Sequence, residues 1–178
     1  MEGLAAIQER NLTEMQVIYN LFEQDPARDF FAAARDNDTG FLIRVPHSSG
    51  LLEGRYTAET TFPRSDLRSH RPRSWLLNGL KKLESLKFLT EGRGWTIGQA
   101  ALRFTVAAHA VASSLPNIYD DEQLVEFAGA SDYPDLTADD LSKLEALYAG
   151  NFGVEEPPMQ FKGLPVTDPR AHEVLGLR

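Results

Sequence analysis

The sequence contains no cysteine, which excludes disulfides and thiolate metal sites. Basic residues are in the minority, with 18 Lys and Arg against 26 Asp and Glu and a formal net charge of −8. This balance argues against nucleic-acid binding and against an anionic membrane surface, because both need clustered positive charge. No stretch approaches the roughly 18 apolar residues of a membrane span, and the N-terminus lacks a signal-peptide core. We therefore expect a cytoplasmic protein with neither nucleic acid nor membrane as a partner.

The chain has 178 residues and 42% hydrophobic content, enough for one domain with a core. Its most informative stretch is TGFLIRVPHSSGLLEG at 39–54, where a short run of buried-strand character ends in a turn rich in Pro, Ser and Gly. In α/β proteins, ligands bind at the C-terminal ends of parallel strands, where such loops present N–H groups and hydroxyls. The segment therefore predicts a strand that delivers a ligand-binding loop.

Helical and strand patterns alternate along the rest of the chain. An Asp25-Pro26 start and capping patterns at Thr96, Asp120 and Thr137 mark helix beginnings. The predicted helices are 3–10, 25–38, 74–90, 96–106, 120–130 and 137–148, and the predicted strands are 15–22, 40–45 and 110–115. Such alternation predicts a parallel sheet with crossover helices, and the class is α/β.

Four blocks of this sequence, in order, resemble the C-terminal half of an aldo-keto reductase. They are QVIYNLFEQ at 16–24, IRVPHSSGLL at 43–52, TIGQAALRF at 96–104 and EQL at 122–124. The resemblance covers about residues 3–150 and implies a partial TIM (β/α)8 barrel, with about three parallel strands equivalent to strands 6–8. We expect residues 1–150 to form this half-barrel and residues 151–178 to form an extended tail.

The family's catalytic Asp, Tyr, Lys and His lie in its first four strand–loop units, upstream of everything that matches here. The resemblance therefore implies no catalytic residue in this chain. It implies the cofactor-binding half of an NADPH- or NADH-dependent carbonyl reductase, inactive alone. His47 is no candidate acid–base group, because it has no interpretable Asp or Ser partner and the family position is usually Leu. The four histidines are too scattered for a metal site.

The resemblance assigns the cofactor contacts to particular positions. Gln16 would hydrogen-bond the nicotinamide carboxamide, and Arg44 would stack on the nicotinamide in place of the usual aromatic ring. The loop from Pro46 to Leu51 would hold the pyrophosphate, while Gln123 and Glu126 would contact the adenosine end. The complete predicted set is Gln16, Arg44, Pro46, Ser48, Ser49, Gly50, Leu51, Gln123 and Glu126.

Simpler interpretations of these residues remain open. Gln16 could be an ordinary polar residue at a barrel mouth, and Arg44 in a buried strand could form a structural ion pair. Ser48 and Ser49 could be turn formers only. The arginines between 55 and 73 could grip the cofactor or form a solvated surface with local ion pairs. Acidic residues at 120–121 disfavour a 2′-phosphate at that helix N-terminus.

A second function follows from the incomplete barrel. Three strands cannot close a barrel that needs eight, so both sheet edges would be unpaired. We expect Val17, Tyr19, Phe41 and Ile43 to face the barrel interior and to lack a facing layer. The alternative is a non-enzymatic binding or assembly module that forms a homo-oligomer or pairs with a separate N-terminal half.

Overall fold

The computed structural model of the chain describes residues 2–156. The helices are α1 (Glu2–Arg10), α2 (Ala27–Asp36), α3 (Arg73–Glu84), α4 (Ile97–Val106), α5 (Asp121–Ala128) and α6 (Ala138–Ala149), and the strands are β1 (Glu14–Ile18), β2 (Gly40–Arg44) and β3 (Val111–Leu115). Short 3-10 turns lie at Ser48–Glu53, Leu67–His70, Lys87–Leu89, Gly129–Asp132 and Asn151–Gly153. The predicted alternation of helices and strands is confirmed.

The strands form one parallel sheet in the order β1-β2-β3. Leu42 on the central strand is in register with Gln16 on one side and Ser113 on the other. Two residues further along the strand, Arg44 lies between Ile18 and Leu115. Within residues 2–156, β1 and β3 each pair along one edge only. This confirms the predicted α/β class with parallel strands and leaves two open edges.

One face of the sheet carries the core. Val17, Tyr19, Phe41 and Ile43 point to this face, and each is at most 8% exposed. Our expectation that these four residues face a barrel interior is wrong. Successive side chains of a strand alternate between faces, and here the apolar set packs against the helices.

Aromatic contacts show which helices cover this face. The ring of Tyr19 stacks on Phe104 of α4 at 5.1 Å between centroids and meets Phe31 of α2 edge-on at 5.2 Å. Phe31 also contacts Phe41 at 5.8 Å. The opposite face, with Gln16 and Arg44, has no covering layer from residues 2–156 and is called the open face below.

The end of β1 and the start of α2 differ from the prediction. β1 ends at Ile18, because the side-chain oxygen of Asn20 accepts the backbone N–H groups of Phe22 and Glu23, both at 2.9 Å. This turn diverts the apolar run from the sheet. The predicted Asp25 cap of α2 is also wrong. The helix has no side-chain cap, and the Asp25 carboxylate accepts the hydroxyl of Tyr148 at 2.9 Å.

The predicted starts of α4, α5 and α6 agree with the structure, whereas the predicted end of α3 does not. The predicted capping box at Thr96 and the predicted side-chain caps at Asp120 and Thr137 are confirmed, and the cap at Thr137 is a capping box as well. α3 stops at Glu84, earlier than predicted, and the chain tightens into a 3-10 turn. The indole N–H of Trp95 donates to the carbonyl of Leu89 at the end of that turn.

The core continues slightly beyond residue 150. Phe152 is 3% exposed and meets Phe22 edge-on at 5.2 Å. Residues 157–178 lie outside the described residues, so the division into a half-barrel and a tail stays a prediction. None of the helices between residues 2 and 156 has both the length and the apolar character that crossing a membrane requires.

Candidate functional site

Gln16 and Arg44 lie on the open face of neighbouring strands, two residue positions apart in register. Both side chains are exposed, and neither forms a hydrogen bond or ion pair with another residue of the 2–156 range. The alternative of a buried structural ion pair at Arg44 is therefore wrong. An amide and a guanidinium on the same open surface are available to a ligand that reaches the C-terminal end of the sheet.

The chain leaves β2 through a tight loop with unusual backbone angles. Val45, Ser48 and Ser49 have φ values of 56°, 47° and 59°, and Gly50 has 94°. Non-glycine residues seldom adopt this left-handed region, and β-branched valine does so least. Such backbone persists only when surrounding contacts enforce it, and this pattern is common at ligand sites.

A polar network ties the loop to the end of β1. The hydroxyl of Ser48 donates to Glu23 Oε2 at 3.0 Å. The amide of Asn20 donates to the same carboxylate oxygen at 2.9 Å and to the carbonyl of Val45 at 3.0 Å. Ser48 is 5% exposed, and its hydroxyl proton is engaged inside the protein. This residue therefore fixes the turn in the described structure.

The remaining loop residues are mostly buried. Pro46, Gly50 and Leu51 are buried, whereas Ser49 is partly exposed. Leu51 packs on α3 so closely that a Cβ added at Gly79 would lie 2.5 Å from the leucine side chain. The loop is thus anchored to α3 as well as to β1.

Tyr56 folds back over the loop and was missed by sequence reasoning. Its hydroxyl donates to the carbonyl of Ser49 at 3.0 Å and also contacts the guanidinium of Arg68. The Asp66 carboxylate pairs with Arg68, whose hydrogen bonds lower the pKa of Asp66 to about 2. A Cβ at Gly50 would lie 2.1 Å from the tyrosine oxygen. Tyrosine in an arginine-rich loop was the available signal, but it does not specify this contact.

Helices α4 and α5 hold the other side of the loop. The His47 Nε2 lies 3.1 Å from the carbonyl of Gly98, and its ring lies 4.4 Å from that of Phe127. Gln123 is 1% exposed. Its side chain accepts the N–H of Tyr119 at 2.9 Å and donates to Glu53 at 3.0 Å. Gln123 thus joins α5 to the end of the loop.

The N-terminus of α5 is closed by negative charge. Asp120 accepts the N–H of Gln123 at 2.7 Å and pairs with Arg55 at 3.0 Å. These contacts, the backbone hydrogen bond first, lower the pKa of Asp120. Glu126, one helical turn from Gln123, accepts the hydroxyl of Thr96. Within the arginine series between residues 55 and 73, Arg55 thus pairs with Asp120 and Arg68 pairs with Asp66.

The predicted residues fall into two connected groups. Gln16 and Arg44 share the open face, and the loop from residue 46 to 51 continues from the strand that carries Arg44. Gln123 is bonded to Glu53 at the end of that loop, but its polar atoms and the Ser48 proton are already paired. Residues 2–156 contain no cluster of three or more His, Asp or Glu side chains that could hold a metal ion.

A parallel sheet with crossover helices and a built loop at its C-terminal end defines the chain as an α/β protein. Residues 9–149 match the model of the aldo/keto reductase family. The chain belongs to this family.

Individual relatives match part of this chain and part of their own length. The Aldo-keto reductase YhdN of Bacillus subtilis (strain 168) is 39% identical over 62 residues, which are 35% of this chain and 19% of that protein. The glycerol dehydrogenase AKR11B4 from Gluconobacter oxydans superposes with a TM-score of 0.67 and 22% identity, over 83% of this chain and 46% of that chain. The holo form of aldo-keto reductase AKR11C1 from Bacillus halodurans superposes with a TM-score of 0.57 and 18% identity, over 80% of this chain and 44% of that chain.

These solved structures are TIM barrels, and this chain spans less than half the length of each. At such identities the likeness shows the fold alone. The predicted half-barrel is confirmed in this sense, because the three parallel strands superpose on part of a larger barrel.

Proposed function

We propose that this chain carries the nicotinamide-cofactor half of an aldo-keto reductase site and does not reduce carbonyls alone. The observation that carries the proposal is the pair Gln16 and Arg44, unpaired on the open face and followed directly by a braced, left-handed loop. The family, taken generally, uses NADPH or NADH. The ligand is therefore a nicotinamide dinucleotide.

Each group has chemistry suited to one part of that ligand. The Gln16 amide has donors and an acceptor that complement a carboxamide. The planar guanidinium of Arg44 stacks on an aromatic ring. Pro46, Ser48, Ser49, Gly50 and Leu51 form the pyrophosphate loop, in which Ser49 is the more exposed hydroxyl. Gln123 positions α5, and Glu126 lies toward the adenosine end.

We propose that the chain is inactive alone, because the residues that match the family do not include its catalytic Asp, Tyr, Lys and His. Loss of a general acid typically costs about 10² to 10⁴-fold in rate. Carbonyl reduction with NADPH should therefore be undetectable for the 178-residue chain. An upstream reading frame encoding the Asp, Tyr, Lys and His would identify the missing half.

We further propose that NADH binds better than NADPH. The site for the adenosine end carries the Asp120 carboxylate in the position where helix N–H groups attract a phosphate. Arg55, the cation that contacts Asp120, is already paired with that carboxylate. A 2′-phosphate would have to break the pair of Arg55 with Asp120, and the negative charge of the Asp120 carboxylate would repel it.

Titration of the chain with NADH by calorimetry tests the cofactor assignment. We expect saturable binding below millimolar concentration, weakened at least fivefold by Arg44→Met. Arg35→Met is the matched control, because Arg35 is an exposed arginine on α2 that lies away from the open face. Absence of binding at millimolar NADH and NADPH would contradict the proposal.

A second candidate, assembly with another chain, is supported by the uncovered surfaces. Beside the free edge of β3, a groove of about 390 Å³ is lined by Val106, Ile118, Leu124 and Phe127. The first three are 43%, 46% and 50% exposed. Exposed edges and apolar patches favour strand pairing. The occupant is a second copy of the chain or a separate N-terminal half. The cytoplasm stays the proposed compartment.

Charge substitutions on the two faces of β2 test the assembly. Leu42 is a half-buried residue of the open face, so Leu42→Lys should cost about 1 kcal/mol of folding stability. It should also prevent any association that covers this face, as measured by light scattering. Ile43→Lys is the control on the covered face and should unfold the chain. A wild-type chain that stays monomeric, alone and with the other half, would refute assembly.

A further inference from the structure

The loop after β2 needs contacts that hold its left-handed backbone, and His47 lies at its centre. The His47 carbonyl accepts the N–H groups of Gly50 at 3.0 Å and Leu52 at 3.1 Å. Residues on both sides of it, Val45 and Ser48, have positive φ. The backbone of His47 thus closes the turn from within.

The His47 side chain ties the same turn to elements far away in sequence. Nε2 lies 3.1 Å from the Gly98 carbonyl at the start of α4, 51 residues further on. The ring lies 4.4 Å from Phe127 of α5 with a 40° tilt, and the residue is 4% exposed. One side chain therefore connects the loop to both helices that border it.

The chemistry of the ring defines what this connection is. A carbonyl accepts only, so Nε2 carries the proton and Nδ1 is left as an acceptor. Nδ1 is buried and has no hydrogen-bond partner within the described part of the chain. Burial also lowers the pKa of His47 to about 4, so the ring is neutral near neutral pH.

An apolar side chain of similar size would avoid the unpaired buried acceptor. Such a side chain would also have no group in the place of Nε2 to donate to the Gly98 carbonyl. The imidazole therefore accepts an energetic disadvantage at Nδ1 in exchange for a directional bond at Nε2. This is the behaviour of a group that sets geometry, since hydrophobic packing alone gives no fixed direction.

We propose that His47 is a positioning residue, which through the Gly98 carbonyl and the Phe127 ring fixes the loop from Pro46 to Leu51 in its ligand-binding conformation. The proposal rests on the proposed cofactor function for its ligand, a dinucleotide pyrophosphate. It has a separate physical consequence in the free protein. The loop amides are slow to exchange only while the Nε2 bond is in place.

Amide hydrogen exchange of the full chain tests this without any ligand. In the wild type, the N–H groups of Gly50 and Leu52 should exchange at least tenfold more slowly than those of the exposed stretch 57–61. His47→Met should remove this protection, while His47→Gln, which is of similar length and keeps a donor in the place of Nε2, should restore most of it. The amides of α2 serve as the internal reference and should be unchanged.

Titration with NADH separates this proposal from the cofactor assignment. We expect His47→Met to weaken binding at least fivefold and His47→Gln to recover most of the loss. A wild-type chain that binds no dinucleotide but shows the exchange pattern refutes the cofactor site and the ligand role of His47, and it supports only the loop-holding role.

Two further results would overturn the proposal. One is fast exchange of Gly50 and Leu52 in the wild type, which needs no variant and so holds even if His47→Met fails to fold. The other is equal protection and equal NADH affinity in the Met and Gln variants.

Discussion

Gly50→Ala is the substitution that tests the packing of the loop most directly. Gly50 has a φ of +94°, and an added Cβ would lie 2.1 Å from the oxygen and 2.7 Å from Cζ of Tyr56. The tyrosine would have to move, because its oxygen also bonds the Ser49 carbonyl and contacts Arg68. The variant therefore combines backbone strain with the loss of a tertiary contact.

The magnitude follows from three contributions. Positive φ for alanine costs about 1–2 kcal/mol, and the displaced hydrogen bond adds about 0.5–1.5 kcal/mol. Some loss of the Arg68 contact with the rings of Tyr56 and Phe62 brings the total to about 3 kcal/mol. Gly92→Ala is the matched control, because Gly92 has a φ of +71° and nothing within 4 Å of its added Cβ. It should cost only about 1–2 kcal/mol.

Urea unfolding measures both values. The Tyr56→Ala background completes a double-mutant cycle, in which Gly50→Ala should cost no more than Gly92→Ala does in the wild type. If Gly50→Ala costs the same with and without the tyrosine ring, the folding of Tyr56 over the loop is refuted.

Three further predictions concern charge. Asp120→Ser keeps a capping oxygen on α5 but removes the carboxylate. Calorimetry should therefore show NADPH affinity rising at least tenfold with NADH affinity unchanged. An unchanged preference for NADH over NADPH would contradict the role of the Asp120 charge at this helix N-terminus. The pKa of His47 in the folded chain is about 4, below its ordinary 6.5, so the unfolded chain binds more protons between these values. The stability from this residue is therefore full above pH 6.5 and falls by up to about 3 kcal/mol toward pH 4, a decline that urea titrations should find reduced in His47→Gln. Asp140→Asn leaves one side-chain oxygen to accept from Arg93 where the buried carboxylate makes two bonds, of 2.8 and 2.6 Å, and it removes the negative charge, so it should cost about 2–3 kcal/mol in urea unfolding. Asp135→Asn, where the carboxylate that pairs with Arg103 is 87% exposed, should cost under about 1 kcal/mol.

Local patterns in the sequence predicted the elements well. The strand at 40–45, the capping box at Thr96 and the cap at Thr137 depend on residues within a few positions of one another, and all three are present. The early end of β1 also has a local cause, since the Asn20 side chain bonds the N–H groups two and three residues on. Asparagine inside an apolar run was the signal for this turn.

The sheet faces could have been assigned from the sequence by parity. Gln16 and Val17 are adjacent in one strand, and Ile43 and Arg44 are adjacent in the next, so neither pair can share a face. Placing the polar members at the cofactor thus requires the apolar members to face the helices. The expectation that both sets face the interior was inconsistent with strand geometry.

The contacts that brace the loop had no such signal. Ser48 bonds Glu23 across 25 residues, and His47 reaches Gly98 across 51. Each contact depends on how the elements pack in three dimensions. A short loop rich in serine and glycine predicts a turn, but the sequence does not specify which distant groups hold it.

The two parts of the proposed site differ in how they are prepared for a ligand. The loop is held from the turn after β1 and from α3, α4 and α5, so little ordering remains to be done when a pyrophosphate binds. Gln16 and Arg44 instead lie on a face that no described residue covers, where a nicotinamide would be contacted from one side and stay in water on the other. Hydride transfer needs the ring and the carbonyl carbon fixed against each other, and small errors of placement reduce the rate strongly. If the proposed function is correct, the half-site is prepared to hold a dinucleotide, whereas the geometry for chemistry requires a second layer over the open face.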